Sequence, residues 1–256
     1  MKVIILAGGL GTRLSEETDS KPKPMVLIDD KPILWHLMNT FATQGFSDFA
    51  IALGYRGDVI KRWLIDLHDL DGDIQIETKT GKITGLKSHT DVVWSVSAIE
   101  TGLHTQTGGR IAQCMKRFPG ERVIVTYGDG LGNVPIKKLI AFHEAKGKLA
   151  TVTAVRPPAR FGHLASSDGI VTEFGEKNQA DSGWINGGFF VLEPEIAAMV
   201  AKDSDPFEST VLPELAKKGE LAAFHHEGFW QPMDTLREKH DLAKLALETP
   251  PPWLVL

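Results

Sequence analysis

The sequence has a single cysteine, no excess of basic residues and no long apolar run. One cysteine, Cys114, excludes an intramolecular disulfide framework and any zinc site built from several cysteines. The 28 Lys and Arg residues are outnumbered by 33 Asp and Glu residues, which gives a formal net charge of −5. This balance argues against a general nucleic-acid binder, whose surface is basic. It does not exclude a single nucleotide substrate, which a few well-placed cations suffice to bind.

The composition indicates a folded protein. The 256 residues are 42% hydrophobic and 24% charged, which excludes wholesale disorder and allows a sizeable core. No apolar run approaches the roughly 20 residues of a membrane-spanning helix. The apolar start Val3–Ala7 is too short for a signal peptide and is followed directly by glycine. We therefore expect a cytoplasmic protein that contacts neither membrane nor nucleic acid, folded as a single domain over residues 1–256.

Strand and helix patterns alternate along residues 1–155, which we expect to form the first half of the domain. Apolar or β-branched runs predict buried strands at Val3–Leu6, Phe49–Leu53, Val123–Val125 and Leu149–Val155. Apolar residues at helical spacing follow Pro32 and Pro135, and Gly45 and Gly147 are expected to end these two helices. The same spacing recurs at Ile60, Trp63, Leu64 and Leu67. This order predicts an α/β fold with a mostly parallel, Rossmann-like central sheet and helices on both faces.

Residues 156–256 show a different pattern, and we expect them to form a smaller mixed α/β half that closes one side of the sheet and ends in a stiff Pro250–Pro252 tail. Short strands are predicted among glycine and proline turns at Gly169–Phe174, Ile185–Leu192 and Leu221–His226. The stretch Asp69–Gly109 is rich in Thr, Gly, Ser and Lys and is expected to be loops or an irregular hairpin.

The glycine-rich turn Gly8–Leu14 directly follows the first predicted strand. Glycines allow the backbone to pass close to a ligand, and successive N–H groups then bind phosphate oxygens. The turn lacks the third glycine of the dinucleotide fingerprint, which disfavours an NAD-dependent oxidoreductase, and it lacks the Gly-Lys-Ser/Thr of a P-loop. It carries Arg13 instead, and Lys23 follows between two prolines. These cations favour phosphate binding over a solvated basic loop.

Two aspartates are candidate magnesium ligands. Asp129 follows the strand Val123–Val125 between two glycines, and Asp234 follows the aromatic stretch Gly228–Met233. Magnesium is commonly held by one or two carboxylates together with substrate phosphates. The alternative for each residue is an Asx turn or a helix cap, and for Asp234 a cap is credible because a helical pattern follows. The two carboxylates share an ion only if the fold brings them together.

Eight motifs resemble those of the sugar-1-phosphate nucleotidyltransferases. They are Gly8–Leu14, Lys21–Met25, Lys31–Leu34, Thr107–Arg110, Thr126–Gly130, Arg160–Gly162, Ile185–Val191 and Gly228–Thr235. The Thr-Gly-Gly-Arg motif and the Phe-Trp-Gln-Pro-Met-Asp-Thr motif are more typical of the cytidylyl branch. The resemblance implies a GT-A-like fold and magnesium-dependent transfer of a cytidylyl group from CTP to glucose 1-phosphate. It also implies a homo-oligomer such as a hexamer, and a role in surface-polysaccharide synthesis. Residues 1–155 would then be the nucleotide-binding half and residues 156–256 the sugar-binding half.

The resemblance assigns roles to individual residues. Arg13, Lys23 and Asp129 are the expected catalytic residues, and Asp129 and Asp234 are the expected magnesium ligands. The nucleotide is expected to contact Leu6, Ala7, Gly8, Gly9, Gly11, Thr12, Arg13, Lys23, Thr105, Arg110, Gly128 and Asp129. Arg110 is a candidate donor to a cytosine carbonyl, and the alternative is a surface arginine beside a glycine turn.

The sugar is expected to contact Glu176, Lys177, Asn186 and Gly187. Asn186 both donates and accepts hydrogen bonds, and the glycines after it suggest close approach of a ligand or another backbone. A β-bulge is the alternative. At Asn178, relatives often have proline. Two other functions remain open: the same transfer from UTP or dTTP, and a non-catalytic protein that binds a sugar nucleotide. His225, His226 and Cys114 are expected to be structural.

Overall fold

The computed structural model describes residues 1–11, 14–69, 73–87, 93–157, 162–167, 170–176 and 183–255. The described strands are β1 (Lys2–Leu6), β2 (Leu27–Ile28), β3 (Lys31–Pro32), β4 (Asp48–Leu53), β5 (Asp73–Glu77), β6 (Lys82–Lys87), β7 (Ser95–Glu100), β8 (Val123–Tyr127), β9 (Gly130–Gly132), β10 (Ala150–Val155), β11 (Gly162–Ser167), β12 (Ile170–Glu176), β13 (Ile185–Asn186), β14 (Phe190–Leu192), β15 (Leu221–His226) and β16 (Trp230–Pro232). The described helices are α1 (Ser15–Thr18), α2 (Ile33–Ala42), α3 (Gly57–Asp69), α4 (Thr107–Met115), α5 (Ile136–Lys146), α6 (Ile196–Met199), α7 (Val211–Lys217) and α8 (Leu236–Ala246), with a short 3-10 helix at Lys23–Met25.

The central sheet is mixed and largely parallel. Strand β1 lies between β8 and β4, parallel to both, and β7 extends the sheet in parallel beyond β4. On the other side of β8, β14 runs antiparallel and pairs in turn with β10, which β15 joins in parallel. The sheet therefore takes strands from both halves of the sequence, with β14 of the second half inserted between β8 and β10 of the first.

Both faces of the sheet are covered, as the sequence predicts. Alternate residues of β1 enter different cores: Val3 and Ile5 lie in one, and Ile4 lies in the other. The first core is closed mainly by α2, α3, α5 and α8, and the second by α4, α6 and α7. A strand buried on both faces must be apolar at every position, which is the reason that β1 reads as a continuous apolar run.

The predicted helices after Pro32 and Pro135 are confirmed, and they begin one residue after each proline. Gly147 ends α5 in the left-handed conformation, with φ of 56°, and its N–H bonds the carbonyl oxygen of His143 at 3.0 Å. A glycine adopts this conformation without a steric penalty. No helix of the described residues is long and apolar enough to cross a membrane.

One expectation about local structure is incomplete, and two are wrong. The stretch Asp69–Gly109 contains the expected hairpin, formed by β5 and β6. It also contains β7, an edge strand of the central sheet, which the sequence did not predict because its residues are mostly small or polar. The predicted strand Ile185–Leu192 is broken into β13 and β14 because Gly188 and Phe189 have positive φ angles of 75° and 46°. The C-terminal tail is part of the core rather than a separate arm. Trp253 is 1% exposed, and its ring lies 5.4 Å from that of His36.

Candidate active site

A cavity of about 590 Å³ opens at the carboxyl ends of β1 and β8. This is the edge at which open α/β sheets bind their ligands. Ten of the twelve residues expected to contact the nucleotide line it; the other two, Thr12 and Arg13, lie outside the described residues. The lining comprises Leu6, Ala7, Gly8, Gly9, Leu10, Gly11, Lys23, Pro24, Leu103, His104, Thr105, Gln106, Thr107, Arg110, Tyr127, Gly128, Asp129 and Asp234.

The glycine turn is held against the neighbouring strands by its backbone. Ala7 donates its N–H to the carbonyl of Ala52 at 3.0 Å, and the N–H of Gly128 bonds the carbonyl of Leu6 at 3.0 Å. Gly11 has a φ of 67°, and its carbonyl accepts from the Thr18 hydroxyl at 3.0 Å. The beginning of the turn is therefore fixed in a conformation that brings backbone amides to the cavity, as phosphate binding requires.

Arg110 reaches from α4 across the sheet to this turn. Its side chain is almost fully buried, and its two terminal nitrogens donate to the carbonyls of Leu53 at 2.8 Å and Gly8 at 3.0 Å, to the Thr101 hydroxyl at 2.6 Å and to the carbonyl of Leu103 at 3.4 Å. Burial lowers the pKa of the guanidinium from its ordinary value. The surface-arginine alternative is therefore wrong. Arg110 lines the cavity, and its contact with a base carbonyl stays a prediction.

The Thr-Gly-Gly-Arg motif is explained by close packing. A Cβ at Gly108 would lie 2.5 Å from the carbonyl oxygen of Asp205, and one at Gly109 would lie 2.4 Å from that of Asp203. The segment 203–205 thus lies directly against the first turn of α4, and the N–H of Gly108 bonds Asp205 O at 3.0 Å. The motif lies within α4 rather than in a turn before it.

Lys23 joins the two predicted magnesium ligands. Its Nζ lies 2.7 Å from Asp129 Oδ2 and 2.6 Å from Asp234 Oδ1, and the residue is 9% exposed. Burial acts to lower the pKa of this ammonium, but the two carboxylates outweigh burial and raise it above its ordinary value. The 3-10 helix that begins at Lys23 holds the residue in place, with Val26 N bonded to Lys23 O at 3.0 Å. The buried ammonium therefore stays charged at neutral pH.

Backbone pairing brings Asp129 and Asp234 together although they are far apart in sequence. Strand β16 pairs antiparallel with β9, so that Pro232 lies opposite Gly130, and Met233 N bonds Asp129 O at 2.8 Å. The helix-cap alternative for Asp234 is wrong. Thr235 is the N-cap of α8 and forms a capping box with Glu238. The Asp234 carboxylate is left to face Lys23 and the cavity.

The predicted sugar residues are placed in part. Asn186 Nδ2 donates to the Tyr127 hydroxyl at 3.0 Å, and Asn186 Oδ1 accepts from Gly188 N at 2.9 Å. A Cβ at Gly187 would lie 2.6 Å from Val155 Cγ1, so close approach of β10 explains this glycine. Lys177 lies outside the described residues, and of Glu176 the structure describes the backbone at the end of β12.

Some residues at the cavity received no role from the sequence. Tyr127 and Thr107 line the cavity and both donate to the carboxylate of Glu208. Both residues lie in motifs of the family resemblance, Thr107–Arg110 and Thr126–Gly130, but neither received a role. Glu208 lies in none of the motifs. Cys114 is fully buried, and burial raises the pKa of its thiol to about 12, which fits its expected structural role.

Comparisons with known proteins place the chain in a family. The family model for nucleotidyl transferases matches residues 2–237. A glucose-1-phosphate cytidylyltransferase of Salmonella typhi is 45% identical over 254 residues, covering 99% of this chain and 98% of the relative. A probable glucose-1-phosphate cytidylyltransferase of Bacillus subtilis is 41% identical over 246 residues, 96% of each chain.

Solved structures agree with this placement. HddC from Yersinia pseudotuberculosis superposes with a TM-score of 0.71 at 27% identity over 95% of this chain and 98% of that chain. UDP-glucose pyrophosphorylase in complex with UDP-glucose gives a TM-score of 0.67 at 18% identity over 95% of this chain and 97% of that chain, a likeness of fold alone. The chain belongs to the nucleotidyl transferase family.

Proposed function

We propose that the protein catalyses transfer of a cytidylyl group from CTP to α-D-glucose 1-phosphate, which yields CDP-glucose and pyrophosphate. One observation carries the transferase chemistry: Lys23 Nζ lies within 2.7 Å of both Asp129 and Asp234 in a cavity whose other wall is the glycine turn. The choice of CTP and glucose 1-phosphate is supported by the relatives with these substrates in their names, at 45% and 41% identity.

The reaction is a substitution at the α-phosphorus of CTP. A phosphate oxygen of glucose 1-phosphate forms a bond to that phosphorus while the bond to the bridging oxygen of the β-phosphate breaks, and pyrophosphate leaves with the electron pair. The nucleophile is already an anion, so no general base is required. The difficulty is to hold two polyanions in line and to neutralise the charge that develops on pyrophosphate.

Lys23 supplies fixed positive charge for this task. Its raised pKa keeps the ammonium protonated, and its burial strengthens its interaction with a phosphate because little water screens it. We place it beside the α-phosphate and the sugar phosphate. Arg13, by the sequence analysis, holds the leaving β- and γ-phosphates, and the amides of Gly8–Gly11 hold the remaining phosphate oxygens.

The residues around Lys23 fit a magnesium ion. Two carboxylates already converge on one cation, the ammonium of Lys23, and carboxylate oxygens are the ligands that magnesium prefers. The described residues contain no group of three or more metal-ligating side chains, and a magnesium ion bound here would take its remaining ligands from substrate phosphates and water. Magnesium, when bound by Asp129 and Asp234, supplies positive charge that the transferred phosphate needs.

The proposed activity is tested by pyrophosphate release with glucose 1-phosphate and, separately, CTP, UTP, dTTP and GTP. We expect CTP to be turned over with the highest kcat/KM, and release to require magnesium. A preference for UTP or dTTP would retain the chemistry but overturn the assigned base. Binding of CTP without release from any of the four nucleotides would identify a non-catalytic binding protein.

We also propose that the protein is a homo-oligomer, with a hexamer as the expected form. Two isoleucines that lie opposite each other on the β5–β6 hairpin, Ile76 and Ile83, are 51% and 42% exposed, which suits a contact between copies. Light scattering measures the mass in solution, and a monomer at assay concentration would overturn this proposal.

A further inference from the structure

The carboxylate of Glu208 connects two elements of the active site. Glu208 lies in the segment between β14 and α7, and each of its oxygens accepts one hydrogen bond from a residue that lines the cavity. Oε2 accepts from the Thr107 hydroxyl at 2.6 Å, and Oε1 accepts from the Tyr127 hydroxyl at 2.7 Å. Thr107 is the first residue of α4, and Tyr127 is the last residue of β8. One side chain thus connects the first turn of α4 with the end of β8, two residues before Asp129.

The position of Glu208 is itself fixed by the backbone. Phe207 N donates to the Thr107 hydroxyl at 2.8 Å, and the Phe207 side chain is fully buried in the second core. The Thr107 hydroxyl is therefore held on both sides, by the Phe207 amide and by the Glu208 carboxylate. Phe207 thus anchors the backbone from which Glu208 reaches Thr107 and Tyr127.

This arrangement fixes the direction of the Tyr127 hydroxyl. The phenol has one proton, which it donates to Glu208, and it accepts a hydrogen bond from Asn186 Nδ2 at 3.0 Å. The oxygen thus uses its proton for Glu208 and one of its two lone pairs for Asn186. Towards any bound molecule the oxygen is therefore able only to accept.

The Tyr127 ring packs against the second core, beside β14. It lies edge-on to Phe190 of β14 with ring centroids 6.0 Å apart. A Cβ at Gly188 would lie 3.0 Å from Tyr127 Cδ2, so the chain between β13 and β14 closes on the ring as well. In the sheet, β14 lies on one side of β8, and β1, which leads into the glycine turn, lies on the other. The Tyr127 hydroxyl thus lines the cavity and contacts Asn186, a residue that the sequence predicts to bind the sugar.

We propose that Glu208 is a positioning residue for the sugar 1-phosphate, and that it holds the Tyr127 hydroxyl as an acceptor for one hydroxyl group of the sugar. This inference rests on the proposed function. It assigns to Tyr127 a contact with the acceptor substrate and to Glu208 an effect through Tyr127, with no direct part in the chemistry. Loss of either side chain weakens the binding of the sugar phosphate more than that of CTP.

The test compares steady-state constants for both substrates in Glu208→Ala, Glu208→Gln, Tyr127→Phe and the wild type. We expect Glu208→Ala and Tyr127→Phe to raise KM for glucose 1-phosphate about tenfold, the scale of one lost hydrogen bond, and to change KM for CTP less than about twofold. Glu208→Gln retains one acceptor oxygen and falls in between. Glu214→Ala is the matched control and is expected to behave as the wild type. It removes an exposed carboxylate of α7 that pairs only with Lys218 among the ion pairs of the described residues.

Deoxy analogues of the sugar identify the contact. Glucose 1-phosphates lacking one hydroxyl each are assayed with the wild type and with Tyr127→Phe, whose fold is least at risk because the change removes one oxygen atom. With the wild type, we expect one analogue to have a kcat/KM about tenfold below that of glucose 1-phosphate. With Tyr127→Phe, the same analogue and glucose 1-phosphate are expected to have nearly equal kcat/KM, because the variant already lacks the hydrogen bond that the analogue removes.

Failure of the proposed function and failure of this inference alone give different results. A wild type that releases no pyrophosphate from CTP and glucose 1-phosphate overturns the proposed function and this inference with it. An active wild type overturns the inference alone if the variants raise KM for CTP as much as KM for the sugar phosphate. The inference is also overturned if Tyr127→Phe discriminates against every deoxy sugar as strongly as the wild type does. It is overturned as well if Tyr127→Phe loses discrimination against a deoxyribose analogue of CTP and not against a deoxy sugar.

Discussion

The guanidinium of Arg110 occupies the space that a side chain at Gly8 would need. A Cβ built on Gly8 would lie 2.1 Å from Arg110 Nη1, and one built on Gly54 would lie 2.6 Å from the same atom. The same group bonds the carbonyls of Gly8 and Leu53 at 3.0 and 2.8 Å. Gly8 is therefore required by its contact with the Arg110 guanidinium, and not only by the conformational freedom of glycine.

Arg110→Lys is expected to destabilise the protein. A lysine keeps the charge, but its single nitrogen has three donors and cannot replace both terminal nitrogens of Arg110, which bond four acceptors. It therefore leaves buried acceptors unsatisfied. We expect a loss of roughly 2–4 kcal/mol in the free energy of unfolding, measured by urea denaturation. The control is Arg237→Lys, at a largely exposed residue whose contact with Asp241 is 3.9 Å long. Equal effects of the two changes would show that the buried bonds of Arg110 contribute nothing measurable.

Lys23→Ala is expected to lower kcat at least tenfold, and by up to about a thousandfold, which is the range for loss of one group that stabilises developing charge. The measurement is pyrophosphate release at saturating CTP and glucose 1-phosphate. Lys21→Ala is the matched control, because Lys21 stands in the same Lys-Pro-Lys-Pro motif but pairs with Glu17 at 3.2 Å. Near wild-type turnover in Lys23→Ala would remove Lys23 from the mechanism.

Asp129→Asn and Asp234→Asn test the metal assignment. Each change removes one anionic ligand, so we expect the magnesium concentration for half-maximal activity to rise about tenfold or more. Magnesium titration at fixed CTP measures this, and direct binding of manganese by the protein with CTP gives a second readout. Asp241→Asn on the exposed face of α8 serves as the control. An unchanged magnesium requirement in both variants would contradict a shared ion.

The cluster of Arg122, His143 and Glu193 is expected to make the free energy of unfolding depend on pH. Burial alone would raise the pKa of Glu193, but hydrogen bonds from Arg122 and His143 outweigh it and lower the pKa below its ordinary value of 4.5. A group whose pKa is lowered on folding contributes stability above its unfolded pKa, and this contribution is lost as the pH falls through the folded value.

The fall in unfolding free energy between pH 6 and pH 3 is therefore expected to be smaller in Glu193→Gln than in the wild type. Denaturation midpoints across this range provide the measurement, with Glu195→Gln at an exposed neighbour as the control. Identical slopes for Glu193→Gln and the wild type would show that the cluster does not couple protonation to folding.

Trp253→Ala is expected to cost about 3–5 kcal/mol of stability, the range for truncating a buried aromatic residue. The ring of Trp253 lies 6.1 Å from that of Phe229, which precedes β16 and thus Asp234. We therefore expect magnesium affinity to fall as well. Thermal unfolding and magnesium titration are compared with Leu247→Ala, whose side chain is 73% exposed. A stable variant with unchanged magnesium affinity would show that the tail does not support the site.

The sequence alone determined the elements with strong local signals. The apolar runs of β1, β4, β8 and β10, the prolines at helix starts and Gly147 are all legible because burial on two faces and φ restriction act on single residues. The glycine turn, Lys23, Asp129 and Asp234 were also selected from sequence, since phosphate and magnesium chemistry needs these residue types and the family motifs carry them.

Only the tertiary structure decided which side chains meet. The pairing of β16 with β9 places Asp234 beside Asp129, and neither segment contains a signal for the other. Strand β7 was missed because an edge strand needs apolar residues on one face at most, and Glu208 was missed because its function lies in partners about 80 and 100 residues away. Contacts of this kind depend on the sheet order, which residues near in sequence cannot specify.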